Sequence, residues 1–123
     1  MFYSYCMMKK YLTLLLLSIL SLSTGLQAEE RIAGTLESVD LIIEDMYNEQ
    51  GHNYGERYFA INRNDTPVRI SIRLTEAKNA EDHFVPYTIV VKPLEKVKLG
   101  KVKQTDLTAE SFWNYAWEVQ PDQ

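Results

Sequence analysis

The sequence predicts an all-β fold, an antiparallel sandwich of six or seven strands following a signal peptide, and three observations predict it. Val68, Ile70, Ile72 and Leu74 alternate with Arg69, Ser71, Arg73 and Thr75, the period-2 signature of a strand with one face buried. Trp113, Tyr115, Trp117 and Val119 alternate in the same way with Asn114, Ala116, Glu118 and Gln120. Between such runs lie clusters of turn formers, Arg63-Asn64-Asp65-Thr66-Pro67 among them, whose Asn, Asp and Pro chemistry punctuates the chain into short segments.

The chain opens with Lys9 and Lys10 ahead of the apolar run Tyr11 to Leu22, and Ser23 to Ala28 then lead into the acidic Glu29 and Glu30. A basic start, an apolar core and a small-residue end are the three parts of a cleavable signal peptide, here residues 1–28. The core is short for a membrane span, since ~30 Å of hydrocarbon takes about 20 residues. No stable membrane insertion is expected once it is cleaved. The one cysteine, Cys6, precedes the core, which argues against lipidation and leaves residues 29–123 without a thiol. A small exported domain without disulfides suits a bacterial periplasmic or secreted protein.

Residues 29–123 amount to a single domain and carry 11 basic against 17 acidic residues, a net charge of −6. That balance argues against nucleic acid as a partner, because phosphate neutralisation needs a basic face. Eight of the acids fall between Glu29 and Glu56, with Arg31 as the sole base among them.

Along this domain, residues 35–47 fit either a helical stripe (Leu36, Val39, Ile43, Met46) or a strand face (Val39, Leu41, Ile43), and the β-branched content favours the strand. Tyr58 to Asn62 forms a β-prone run that, across the 63–67 turn, would pair with Val68 to Thr75 as a hairpin. Ala77 to Asp82 reads as a loop, Phe84 to Val91 as a further strand closed by Lys92-Pro93, and Val97 to Val102 as another with a bulge or a bend at Gly100.

Enzyme signatures are sparse, and no catalytic residue, cofactor or metal ligand is expected. His52 and His83 stand in separate polar segments, and with no cysteine a zinc site would need both plus converging carboxylates. No serine lies in a nucleophile-elbow context and no glycine-rich loop resembles a phosphate cradle. Two surfaces are candidates for binding. The series Lys92, Lys96, Lys98, Lys101 and Lys103 could meet an anionic partner or simply blunt a strand edge. Trp113, Tyr115 and Trp117 could form an aromatic platform or the core of the sandwich.

The ordered set Tyr58-Phe59-Ala60-Ile61-Asn62, Pro67-Val68, Asn79, Pro86, Val90-Val91-Lys92-Pro93 and Trp113-Asn114-Tyr115-Ala116-Trp117 resembles the β-sandwich that precedes the catalytic domain in bacterial lysostaphin-type zinc metallopeptidases. The spacing of an Asn-turn-Pro strand followed by a Pro-containing strand is also similar to the immunoglobulin-like domains of periplasmic pilus chaperones, although that family uses two such domains with a basic cleft between them. The resemblance implies an immunoglobulin-like sandwich acting as an accessory module in the cell envelope. The peptidase motifs His-x-x-x-Asp and His-x-His are missing, so no active-site residue carries over. The expectation is therefore an exported, non-catalytic module that binds a protein or cell-envelope polymer. An inhibitor of an envelope enzyme and a small metal-dependent hydrolase are the alternatives.

Overall fold

Strands that bury one face each must stack those faces together, and the computed structural model, which describes residues 2–7 and 29–122, shows two antiparallel sheets doing so. In chain order the strands are β1 (Phe2–Met7), β2 (Glu30–Leu36), β3 (Val39–Tyr47), β4 (Asn53–Asn62), β5 (Val68–Lys78), β6 (Ala80–Asp82), β7 (Ile89–Val91), β8 (Lys96–Gln104) and β9 (Phe112–Pro121). One sheet has the order β1-β9-β5-β7 and the other β2-β3-β4-β8-β6. The fold is thus the expected all-β sandwich, with nine strands among the described residues in place of six or seven. Most of the expected signal segment, residues 8–28, lies outside the described residues.

The core is the seam between the inward faces. Val39, Leu41, Ile43, Tyr58 and Ala60 from one sheet meet Val68, Ile70, Ile72, Tyr115, Trp117 and Val119 from the other. Burying this area at roughly 25 cal/mol per Å2 supplies the main drive for folding. Tyr58 sits at its centre, edge-on to both Phe84 (ring centroids 5.1 Å) and Tyr115 (5.2 Å).

The ambiguous stretch 35–47 is extended on both sides of a tight turn. Glu37 and Ser38 adopt φ of 47° and 58° in a two-residue turn, the mirror-image geometry that suits strand twist, and β3 returns along β2. Val39, Leu41 and Ile43 consequently share the inward face.

Three expectations are corrected. Tyr58–Asn62 and Val68–Thr75 do not form a hairpin, because β4 and β5 belong to different sheets and the 63–67 turn is a crossover. The reason is Asn62, fully buried, whose Nδ2 donates to the carbonyls of Thr66 (2.9 Å) and Val91 (3.0 Å) while its Oδ1 accepts from Asn64 N (2.9 Å). It ties the crossover to β7 instead of to a hairpin partner. Nor is 77–82 a loop: β5 runs on to Lys78, Asn79 turns at φ 54°, and β6 follows at once. The Asn79 side chain holds the 106–110 loop through the carbonyls of Asp106, Ala109 and Glu110 and through Asp106 N.

The segment expected as one strand from Phe84 to Val91 is divided. His83 N and Val85 N donate to the carbonyls of Lys101 and Leu99, continuing the ladder on β8. Residues 86–88 then cross to the other sheet, where only Ile89–Val91 pairs, with Val68–Ile70 of β5. Of the bulge or bend expected at Gly100, the structure shows a bulge, with a register shift against β4 and φ 136°. A Cβ there would collide with the His83 carbonyl.

Candidate functional site

The lysine and aromatic candidates fall in different places. On β8 the bulge at Gly100 slips the alternation by one, so Lys101 and Lys103 join Lys96 and Lys98 on the outer face, opposite Arg57, Gly55, Ile61 and Phe59. On the side away from β4, β8 is covered by β6 at Val102–Gln104 and by the His83 and Val85 amides at Lys101 and Leu99, while Lys96–Lys98 has no ladder partner there among the described residues. The face is mixed in charge. Lys96 Nζ is 2.7 Å from Glu30 Oε2 and 4.8 Å from the centre of the Phe59 ring, while Arg57 Nη1 is 2.9 Å from Glu44 Oε1. Lys92 stands apart, in the turn after β7.

Trp113, Tyr115 and Trp117 present no ring to solvent. Each is at most 1% exposed within the sandwich, so the stripe is core in this fold and forms no common surface with the lysines. His52 and His83 also remain apart: His52 Nε2 lies 3.3 Å from Gln104 Oε1, and His83 Nε2 lies 3.7 Å from Glu81 Oε1. Among the described residues no group of three His, Cys, Asp or Glu is placed to hold a metal ion. No described helix is long and apolar enough to cross a membrane.

The structure reveals two features that sequence reasoning missed. The first is a buried chain of polar contacts at the β2 margin. Arg31 points inward and pairs with Asp45 (Nη1 to Oδ1, 3.1 Å) and with the fully buried Glu56 (Nη2 to Oε2, 2.7 Å). Tyr58 Oη donates to Glu56 Oε1 (3.0 Å), and Trp113 Nε1 donates to Tyr58 Oη (2.9 Å). Burial pushes the Glu56 carboxyl above its ordinary value against the pull of Arg31, and burial followed by the Glu56 charge raises the Tyr58 hydroxyl well above its own. Burial opposes the Arg31 charge, but Asp45 and Glu56 together outweigh it and the guanidinium pKa rises. Each member of this chain is satisfied by another, which suits a structural role.

The second is a groove of about 360 Å3 at the opposite margin, between Ser71 to Leu74 of β5 and the segment from Asp82 to Thr88. It exists because β7 covers β5 only at Val68–Ile70. On the side away from β9, residues 71–78 of β5 have no ladder partner among the described residues. Ile72, Leu74 and Phe84 supply apolar lining, with Phe84 resting on Tyr58, and exposed Tyr87 and Pro86 form a rim. Such an edge, with backbone donors and acceptors beside an apolar cleft, can accept an extended chain. The sequence carried little signal for it beyond Pro86, which lacks the N–H that a central ladder needs and interrupts the run from Phe84 to Val91.

Compared with known proteins, the chain matches no family model, no curated protein and no solved structure. What the fold and groove define is a β-sandwich in which the outer side of β5 beyond Ile70 lies open beside a partly apolar groove.

Proposed function

We propose that this chain is an exported, non-catalytic β-sandwich module that binds a protein or cell-envelope component through an open sheet edge. The observation that carries the reading is the outer side of β5 from Ser71 onward, which has no ladder partner among the described residues and lies beside a groove lined by Ile72, Leu74 and Phe84. It accords with the resemblance to the sandwich preceding lysostaphin-type catalytic domains, an accessory position in the envelope.

Export has a structural consequence. Phe2–Met7 pairs with β9, Met7 opposite Asn114 and Phe2 opposite Val119, so removal of residues 1–28 would take β1 away and leave β9 an edge. The test is to express the full chain with a C-terminal tag, isolate the protein as the cell leaves it, and measure its intact mass and its partners in envelope extract. A mass beginning near Glu29 and a partner retained through moderate salt are the expected results. A protein that stays in the cytoplasm and keeps residues 2–7, or one that retains nothing at any salt concentration, would defeat the reading.

A further inference from the structure

We infer that the β5 groove is a strand-acceptor site for an extended polypeptide of the pattern apolar-acidic-apolar. This site rests on the binding reading above and gives it a location and a partner chemistry. The pattern follows from the pleat. Along β5, Ile72 and Leu74 point inward toward the groove and Phe84, while Arg73 between them points outward and is exposed. A strand added at this edge sets each of its residues beside one of β5, on the same face. Residues opposite Ile72 and Leu74 therefore enter the groove and must be apolar, and the residue between them lies beside Arg73.

Charge decides the middle position. Arg31, Arg57, Arg63 and Arg69 each pair with a carboxylate, at 2.7 to 3.1 Å. Arg73, the fifth arginine, has no ion pair among the described residues. Asp82 is the carboxylate in the groove wall, and its Oδ2 accepts from Phe84 N at 3.4 Å. A carboxylate from the incoming strand would give Arg73 the partner its four counterparts already have. Because the pattern reads the same in both directions, it fits a parallel or an antiparallel addition.

The experiment uses the protein isolated from expression of the full chain, 15N-labelled, and three blocked heptapeptides. These are Thr-Thr-Val-Glu-Val-Thr-Thr, a version with Lys in place of Glu, and a version with Ser in place of both Val. The glutamate peptide is expected to shift the amides of residues 71–74, to protect those that face away from β9, and to bind roughly fivefold tighter than the lysine peptide. The serine version is expected to bind more weakly than either. Arg73→Glu should reverse the preference between Glu and Lys, and Tyr87→Ala, which leaves the charge in place, should weaken both.

Amides of 71–74 that stay unmoved at millimolar peptide, or a preference indifferent to the sign at position 73, would overturn the inference. If Arg73→Glu captures the same envelope partner as the wild type while these amides stay silent, the module binds elsewhere. The broader reading then survives and only the groove is excluded.

Discussion

The two margins of the sandwich are closed in opposite ways. At the β2 margin a side chain does the closing: Arg31 reaches between the sheets to Asp45 and Glu56, and Tyr58 and Trp113 complete the chain of hydrogen bonds. At the β6–β7 margin the backbone crosses from one sheet to the other at residues 86–88 and leaves the side of β5 away from β9 without a ladder partner beyond Ile70 among the described residues. The first solution buries charge and so demands that every member be satisfied. The second keeps its free N–H and C=O groups in water, where they cost nothing until another chain takes the water's place. Stability and binding capacity are thereby assigned to different margins, and variants at each should separate them.

The largest expected effect is at the closed margin. Arg31→Ala leaves Asp45 and Glu56 buried without their cation, and loss of one partner of a buried pair costs about 3–5 kcal/mol. Because the Arg31 side chain is 29% exposed, the loss should fall near the lower limit, about 3 kcal/mol by urea denaturation. A loss below roughly 1 kcal/mol, the range of exposed pairs, would show that water already screens this margin.

Gly100→Ala comes next and strikes the start of the crossover. The residue sits at φ 136° and its new Cβ would collide with the His83 carbonyl, so the ladder between residue 83 and β8 must give way. A cost of about 1–3 kcal/mol is expected from the strained backbone. Amide exchange should quicken first at residues 83–85, ahead of any change near Arg31.

A smaller effect is a slope with pH. Burial raises the Glu56 pKa in the folded protein, so the folded state takes up this proton before the unfolded one does. Its stabilising contribution is complete below the unfolded carboxyl value, about 4.3, and is lost as pH rises through the raised folded value. Arg31 stays charged throughout. Thermal melts from about pH 4 upward should therefore show Glu56→Gln gaining on the wild type as pH increases. Parallel curves would mean that Arg31 fully offsets the cost of burying the carboxylate.

Legibility in the sequence followed the same division. Strands β5 and β9 could be read because each buries one face, so Ile70 and Ile72 on the one, and Tyr115 and Trp117 on the other, fall at every second position. The β2–β3 turn was harder, since Glu37 and Ser38 take positive φ without the Gly or Asn that normally announces it. The supposed hairpin across 63–67 failed because turn chemistry is local, whereas the choice of sheet is fixed by Asn62 reaching Val91, 29 residues away. Arg31 did leave a trace as the single base among eight acids, but its inward reach depends on the register of β2 against β3. The groove left less, for it depends on where β7 stops along β5.

The smallest predicted effect on stability is also the one that separates the two margins most cleanly. Arg73 is exposed, lies on the outer face of β5 and has no ion pair among the described residues, so Arg73→Ala breaks no ion pair of the fold. Its unfolding free energy should stay within about 0.5 kcal/mol of the wild type, as for ordinary surface positions. If peptide capture at the groove falls while stability holds, the open margin contributes to binding without contributing to the fold. A stability loss comparable to that of Arg31→Ala would instead mean that Arg73 is engaged with the domain, and the groove would then be a structural seam like its counterpart.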